Sequence, residues 1–178
     1  MALSRWKKLS EDILFKNPWW TYKRDAFELA SGERGEYHYV FTGGASLVLP
    51  FGDDGRLVMV RQYRYLCDRE SLEFPCGGVK SGSSYEQTAA HELAEETGLA
   101  AERLESIGEF NPYNGVTNEI CRVFLARGLR QVPQHPDATE EFEQLLLTPT
   151  ELEEHIRSGS VWDGMTLAAW SLARSRFL

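Results

Sequence analysis

Between Glu73 and Leu99 the chain reads Glu-Phe-Pro-Cys-Gly-Gly, a short polar stretch, and then a helix-forming run that carries Glu92, Glu95 and Glu96 and stops at Gly98. No other stretch restricts the fold as much. The glutamates follow a Pro-Cys-Gly-Gly segment that reads as a Gly-rich loop. Ser83 with Glu86 three residues on fits a capping box, which predicts a helix over 84–97, and Gly98 stands at the position that favours a left-handed terminating residue. At about 100° per residue the three glutamates share one face, within an arc of roughly 100°. Ala90, Leu93 and Thr97 fall on the opposite arc and are expected to pack on a sheet. Like charges at this spacing repel. The face is therefore either a solvated acidic surface or a site for hard divalent cations, which want several carboxylate oxygens converging from a rigid element. The Gly-rich turn beside it lets backbone groups approach a ligand closely.

Elsewhere the pattern is of strands first and helices last. Residues 1–42 are rich in aromatics, and the stretch from Asn17 to Phe41 reads as two strands around the turn Ser31–Gly35. "ASLVLPF" and "RLVMVRQY" are short apolar runs around Gly52-Asp53-Asp54-Gly55, as expected of buried strands joined by a tight turn. Further strands are predicted near Ser106–Phe110, Ile120–Ala126 and Gln144–Leu147, and closing helices over Pro149–Arg157 and Thr166–Phe177. That order suggests an α+β or α/β sandwich. A chain of 178 residues fits one domain, or one domain with a small appendage.

Lys and Arg number 19 against 27 Asp and Glu, a net charge of −8. This argues against non-specific binding to nucleic acid or a membrane surface, both of which need basic patches. Anionic substrates remain open, because bound cations invert the local sign. Cys67, Cys76 and Cys121 cannot form a closed disulfide framework, and no run approaches the about 18 apolar residues of a membrane span. A cytoplasmic protein with free thiols is expected.

The order Glu-Phe-Pro-x-Gly, loop, His-Glu-Leu-x-Glu-Glu-x-Gly-Leu resembles the Nudix hydrolase signature, with Gly77 as its first glycine and Glu92, Leu93, Glu95, Glu96, Gly98 and Leu99 matching its second half. Two positions depart: Ser83 stands where the family has glutamate, and His91 where it has arginine. Ser83 can cap the helix instead, and His91 precedes Glu95 by four residues and can partner it. "NPWWTYKRD", "LVMVRQYRY", "LEFPCGG", "NEICRVFLARGL" and "DGMTLAAW" are similar to the ADP-ribose pyrophosphatase and nucleoside-diphosphate-sugar branch, from about residue 17 to about residue 170.

The resemblance implies an α/β/α sandwich around a mixed β-sheet over residues 43–178. It implies that the strands of 1–42 form a dimerisation subregion of a homodimer. It implies hydrolysis of the pyrophosphate of a nucleotide sugar, with Mg²⁺ or a substitute such as Mn²⁺. Glu92 and Glu96 are then the main metal ligands, Glu95 a further one, and the carbonyl of Cys76 completes the shell. Arg64 sits where the family holds substrate phosphate, or it is a surface Arg pairing with a carboxylate. Glu119 matches a position that binds ribose or metal. Trp20, beside Trp19, either stacks on a nucleobase across the dimer or belongs to a core or interface. The Pro112–Gly115 turn corresponds to a loop lining the substrate pocket. The general base is expected from the loop holding Asp137, Glu140, Glu141 and Glu143, with Glu140 first and Glu141 second, unless that loop is only an acidic surface.

Three functions follow for comparison: a metal-dependent nucleotide-sugar hydrolase, a non-catalytic sensor that binds the same ligand on the same fold, and a hydrolase of mRNA caps or oxidised nucleotides. The retained glutamates favour the first, and the signatures outside the motif disfavour the third.

Overall fold

The computed structural model describes residues 3–134 and 141–177. In chain order the strands are β1 (Lys7–Lys16), β2 (Thr21–Glu28), β3 (Arg34–Phe41), β4 (Ala45–Pro50), β5 (Leu57–Arg64), β6 (Arg69–Glu73) and β7 (Cys76–Gly78). Helix α1 (Tyr85–Thr97) follows, then β8 (Leu99–Phe110), β9 (Cys121–Gln131), β10 (Glu143–Leu147), α2 (Pro149–Ser158) and α3 (Gly164–Ala173).

The strands form three sheets, ordered β1-β2-β3, β10-β5-β6 and β7-β4-β9-β8. The last is mixed, because β4 runs parallel to β9 and antiparallel to β7. β4 is buried along its whole length, as a near-continuous apolar run requires. Its side chains alternate between two cores. Leu47 and Leu49 join Leu57, Met59, Val123 and Leu125 beneath Leu152 of α2 and Ala169 and Trp170 of α3. Val48 joins Val58, Phe124 and Ala126 beneath Ala89 and Leu93 of α1. One helix on one face and two on the other make the expected α/β/α sandwich. Burying Leu93 fully contributes about 1.5–3 kcal/mol, and truncating such a residue to Ala costs about 2–5 kcal/mol.

Three local expectations are corrected. The cap of α1 is Ser84, not Ser83: the Ser84 hydroxyl accepts from the Gln87 amide at 3.1 Å, and the Ser84 amide donates to Gln87 Oε1 at 2.8 Å. Ser83 is committed to the preceding turn, where its amide donates to the Lys80 carbonyl at 3.0 Å and Gly82 takes φ +87°. Ala90 is exposed and Ala89 is buried, so the packing stripe runs through Ala89, Leu93 and Thr97. The last helix starts at Gly164, because the Asp163 carboxylate accepts from the Thr166 amide at 2.7 Å and caps it.

The N-terminal sheet contains a strand the alternation pattern missed. β1 pairs with β2 through irregularities between Lys8 and Ser10 and between Ile13 and Phe15, and each one breaks the two-residue period. β2 and β3 flank the turn predicted at Ser31–Gly35. The sheet meets the sandwich at the end of β3, where the Thr42 amide donates to Asn118 Oδ1 at 2.9 Å and Tyr37 donates to the Gly115 carbonyl at 3.0 Å.

Candidate active site

The site is built where the edge of the mixed sheet meets α1. β7 is an edge strand of the mixed sheet, paired to β4 among the described residues. The Val48 amide donates to the Pro75 carbonyl and the Val79 amide to the Gly44 carbonyl, both at 2.9 Å. Antiparallel ladders alternate, so Cys76, opposite Leu47, falls at a position whose amide and carbonyl point off the edge rather than to β4. The Cys76 amide accordingly donates to Glu96 Oε1 at 3.4 Å. Gly77 is required by close approach: a Cβ there would overlap the Glu92 carboxylate. Gly77 thus cradles an acidic side chain of the helix.

The acidic face of α1 is turned inward. Glu96 is 5% exposed, beside Leu93 and Thr97, and the side chains of Glu92 and Glu95 are each 13% exposed. That excludes the solvated-surface reading of the i, i+3, i+4 pattern. The helix is held rigidly at both ends. Ser84 caps it, and the Ser46 hydroxyl ties the Tyr85 carbonyl to β4 at 2.7 Å. At the far end Gly98, at φ +63°, closes on the Ala94 carbonyl. Side-chain amides from Gln134 and Gln144 donate to the Glu96 and Thr97 carbonyls at 2.7 and 2.8 Å, satisfying last-turn acceptors.

His91 meets Glu95 as its spacing predicts, Nδ1 to Oε2 at 3.0 Å, and lies 3.9 Å from Glu92 Oε1. The donor set suits a hard divalent cation: carboxylates of Glu92, Glu95 and Glu96, with the Cys76 carbonyl aimed off the sheet edge on the side of Glu96. The cradle at Gly77 keeps Glu92 close to that edge. The Cys76 thiol is pushed well above its ordinary range by its contact with Cys121 and by burial, so it offers no nucleophile.

Arg64 is fastened to Glu73. Its Nε donates to Oε1 at 2.8 Å and a terminal nitrogen meets Oε2, while Gln62 Nε2 lies 3.4 Å from Oε2. Glu73 is 3% exposed and Arg64 keeps a side chain 44% exposed. The Glu73 hydrogen bond raises the Arg64 pKa further, against burial. Residues 60, 62 and 64 alternate onto the α1 face of their sheet, which sets this pair on the same side as Glu92 and Glu96. Glu73 is the functional candidate that sequence reasoning missed. Its signal is an acidic residue closing an apolar strand before Pro75, where a buried charge needs a partner.

Other expected residues stand on separate elements. Trp20 packs on Phe15, with ring centroids 5.6 Å apart, in the N-terminal sheet. Glu119 lies two residues before β9, its amide donating to Thr117 Oγ1 at 3.1 Å. Glu141 is exposed and lines a groove of about 520 Å³ with Arg61, Tyr63, Glu70 and Phe142. Asp137 and Glu140 lie outside the described residues. A second cleft of about 290 Å³ runs between Phe110–Pro112 and Asp163–Met165, beside the turn expected to line a pocket.

Comparison with known proteins follows the same outline. The NUDIX domain family model matches residues 41–164. An ADP-ribose pyrophosphatase of Bacillus subtilis (strain 168) is 34% identical over 144 residues, 80% of this chain and 78% of that protein. A methanol dehydrogenase activator of Bacillus methanolicus is 31% identical, covering 82% of this chain and 80% of its own. An ADP-ribose pyrophosphatase of Mycobacterium tuberculosis is 32% identical over 79% of this chain and 68% of its own. A crystal structure of an ADP compounds hydrolase superposes with a TM-score of 0.85 over 99% of this chain and 96% of that one, at 19% identity, and so shares the fold. With the family model matching most of the chain and a relative of 34% identity covering 80% of it, the chain belongs to the Nudix domain family.

Proposed function

We propose that the protein hydrolyses the pyrophosphate bond of a nucleoside diphosphate sugar, ADP-ribose or a related compound, to a nucleoside monophosphate and a sugar phosphate. The observation that carries this reading is the inward-facing set of Glu92, Glu95 and Glu96 against the Cys76–Gly77 edge. The similarity to ADP-ribose pyrophosphatases supports the substrate class. Membership of the family implies a divalent cation, and we assign Mg²⁺, with Mn²⁺ as a substitute, to Glu92, Glu95, Glu96 and the Cys76 carbonyl. When bound, the cation supplies positive charge against the pyrophosphate and lowers the pKa of the attacking water.

The protein's own groups do the rest. The rigid caps of α1 hold the carboxylates in place, so no reorganisation is needed during the reaction. Arg64, oriented by Glu73, presents a guanidinium on the same face for a phosphate oxygen. Glu140, or Glu141 as second choice, takes the proton of the attacking water as the bridging P–O bond breaks. Glu119 is assigned to the ribose or a further cation, and Trp20 to the nucleobase in a homodimer. Residues 1–42 form the dimer contact and 43–178 the catalytic domain. No helix among the described residues is long and apolar enough to cross a membrane. The free thiols of Cys67, Cys76 and Cys121 suit a reducing compartment, and we place the protein in the cytoplasm.

The test is a panel of nucleotide sugars with Mg²⁺, the products identified by phosphorus NMR. ADP-ribose or a relative should give two monophosphates, and EDTA should abolish turnover. Tight binding without turnover for every compound would instead make the protein the non-catalytic sensor.

A further inference from the structure

We infer that His91 is itself a cation ligand, and that with Glu92 and Glu95 it makes α1 selective for a transition-metal dication such as Mn²⁺ over Mg²⁺. The inference rests on the assignment of a divalent cation to this face of α1 and reverses the order of preference given above, placing Mn²⁺ before Mg²⁺. The position is one where the family signature has arginine, a side chain with no acceptor that cannot ligate. Here an imidazole stands there, and its geometry is that of a ligand. The candidate ligand atoms of His91, Glu92 and Glu95 all lie within 4.8 Å of one another. In an octahedral shell with bonds of about 2.1 Å, neighbouring donors sit about 3.0 Å apart and opposite donors about 4.2 Å apart. His91 Nδ1 is 3.0 Å from Glu95 Oε2 and 3.9 Å from Glu92 Oε1, so one ion can reach all three with small rotamer adjustments.

The helix supplies the alignment. His91 and Glu95 are one turn apart, and Glu92 follows His91 directly, with its carboxylate held over Gly77. The His91 side chain is 61% exposed, so an entering ion meets it before the more enclosed carboxylates. Imidazole suits borderline transition metals, whereas Mg²⁺ prefers all-oxygen shells and keeps its waters. Exchanging arginine for histidine therefore removes a fixed cation from the face and adds a nitrogen donor, and both changes favour a transition metal.

The experiment reads the ligand directly. The intact protein is titrated with MnCl₂, and electron spin echo modulation is recorded for ¹⁴N coupling to the bound ion. Wild type should show coupling to one imidazole. His91→Ala and His91→Arg should lose it, although His38, His135 and His155 remain. Mn²⁺ affinity should fall at least about tenfold in both variants, as loss of a metal-site group entails. Mg²⁺ affinity, followed by competition, should change less than the Mn²⁺ affinity, so selectivity collapses. Mn²⁺ bound to wild type without nitrogen coupling, or coupling that persists in His91→Ala, would overturn the inference and leave His91 as the ion-pair partner of Glu95. Failure of wild type to bind Mn²⁺ at all would overturn it together with the assignment of α1 as the cation site.

Discussion

The N-terminal sheet and the glutamate helix are both rich in charge, and they treat it in opposite ways. In the sheet, opposite charges answer one another across strands: Lys23 with Glu11 at 2.8 Å, Arg24 with Asp12 at 2.9 Å, Lys8 with Asp25 at 2.8 Å. The Arg24–Asp12 pair is largely solvated and contributes little, whereas Lys23 and Asp25 are 13% and 18% exposed within their pairs. The apolar side chains beside them stay in water, with Ile13 61%, Phe15 55% and Trp19 78% exposed. On α1, carboxylates of one sign are drawn together and turned inward, with apolar residues well packed behind them. A surface that balances its charge but leaves aromatics exposed is the one we propose as the dimer contact. The carboxylates of α1 meet His91 within the chain, and we propose that a divalent cation completes the balance of charge there.

The largest expected effect breaks the site half of this comparison. Glu96→Gln keeps the shape and removes one charge, and kcat should fall at least about 10²-fold, with a small change in melting temperature. A variant that retains full turnover would mean that the inward charge is structural only.

Gly77→Ala is next. Its added methyl must displace the Glu92 carboxylate, at a cost of about 1–3 kcal/mol of overpacking. Steady-state kinetics and thermal unfolding should both show the loss, whereas Gly78→Ala, which meets nothing nearby, should unfold close to wild type.

The sheet half is probed by Phe15→Ser with Trp19→Ser. If these side chains are the dimer contact, light scattering should report one chain in place of two while the sandwich stays folded. An unchanged mass would move the interface elsewhere.

The cap offers a smaller and cleaner contrast. Ser84→Ala should cost about 1 kcal/mol of stability, whereas Ser83→Ala should stay within about 0.5 kcal/mol. Equal losses would contradict the one-residue shift of the helix start.

The smallest effect is in acid. Hydrogen bonds from Lys23 and Lys8 hold the Glu11 pKa down to about 2 from its usual 4.5. A lowered carboxylate pKa stabilises the folded form above the ordinary value and loses that contribution as pH falls through the shifted one. The protection of amides in β1 and β2 against exchange, relative to their intrinsic rates, should therefore fall between about pH 4.5 and 2, with no such step in a Glu11→Gln variant.

Local rules made much of α1 legible. The spacing of Glu92, Glu95 and Glu96, the stop at Gly98 and the contact of His91 with Glu95 each depend on residues within a few positions of one another, where helix geometry decides the outcome; the Pro-Cys-Gly-Gly segment, expected as a loop, is instead paired to β4 as strand β7. The capping-box rule placed the helix start at Ser83, and the turn that consumes the Ser83 amide moves the cap to Ser84. β1 stayed hidden because its bulges cancel the period that marks a strand.

What only the tertiary structure decided is what distant segments bring together. Arg64 finds Glu73 across the β5–β6 pair, Gln134 and Gln144 reach the last turn of α1 from either side of residues 135–140, and the Cys76 amide meets Glu96 twenty residues on. The sequence by itself determined that three carboxylates share a helical face beside a glycine turn. Whether that face met water or protein was set by the packing of Ala89 and Leu93 on the sheet, because burial is a property of what lies opposite and no local spacing records it.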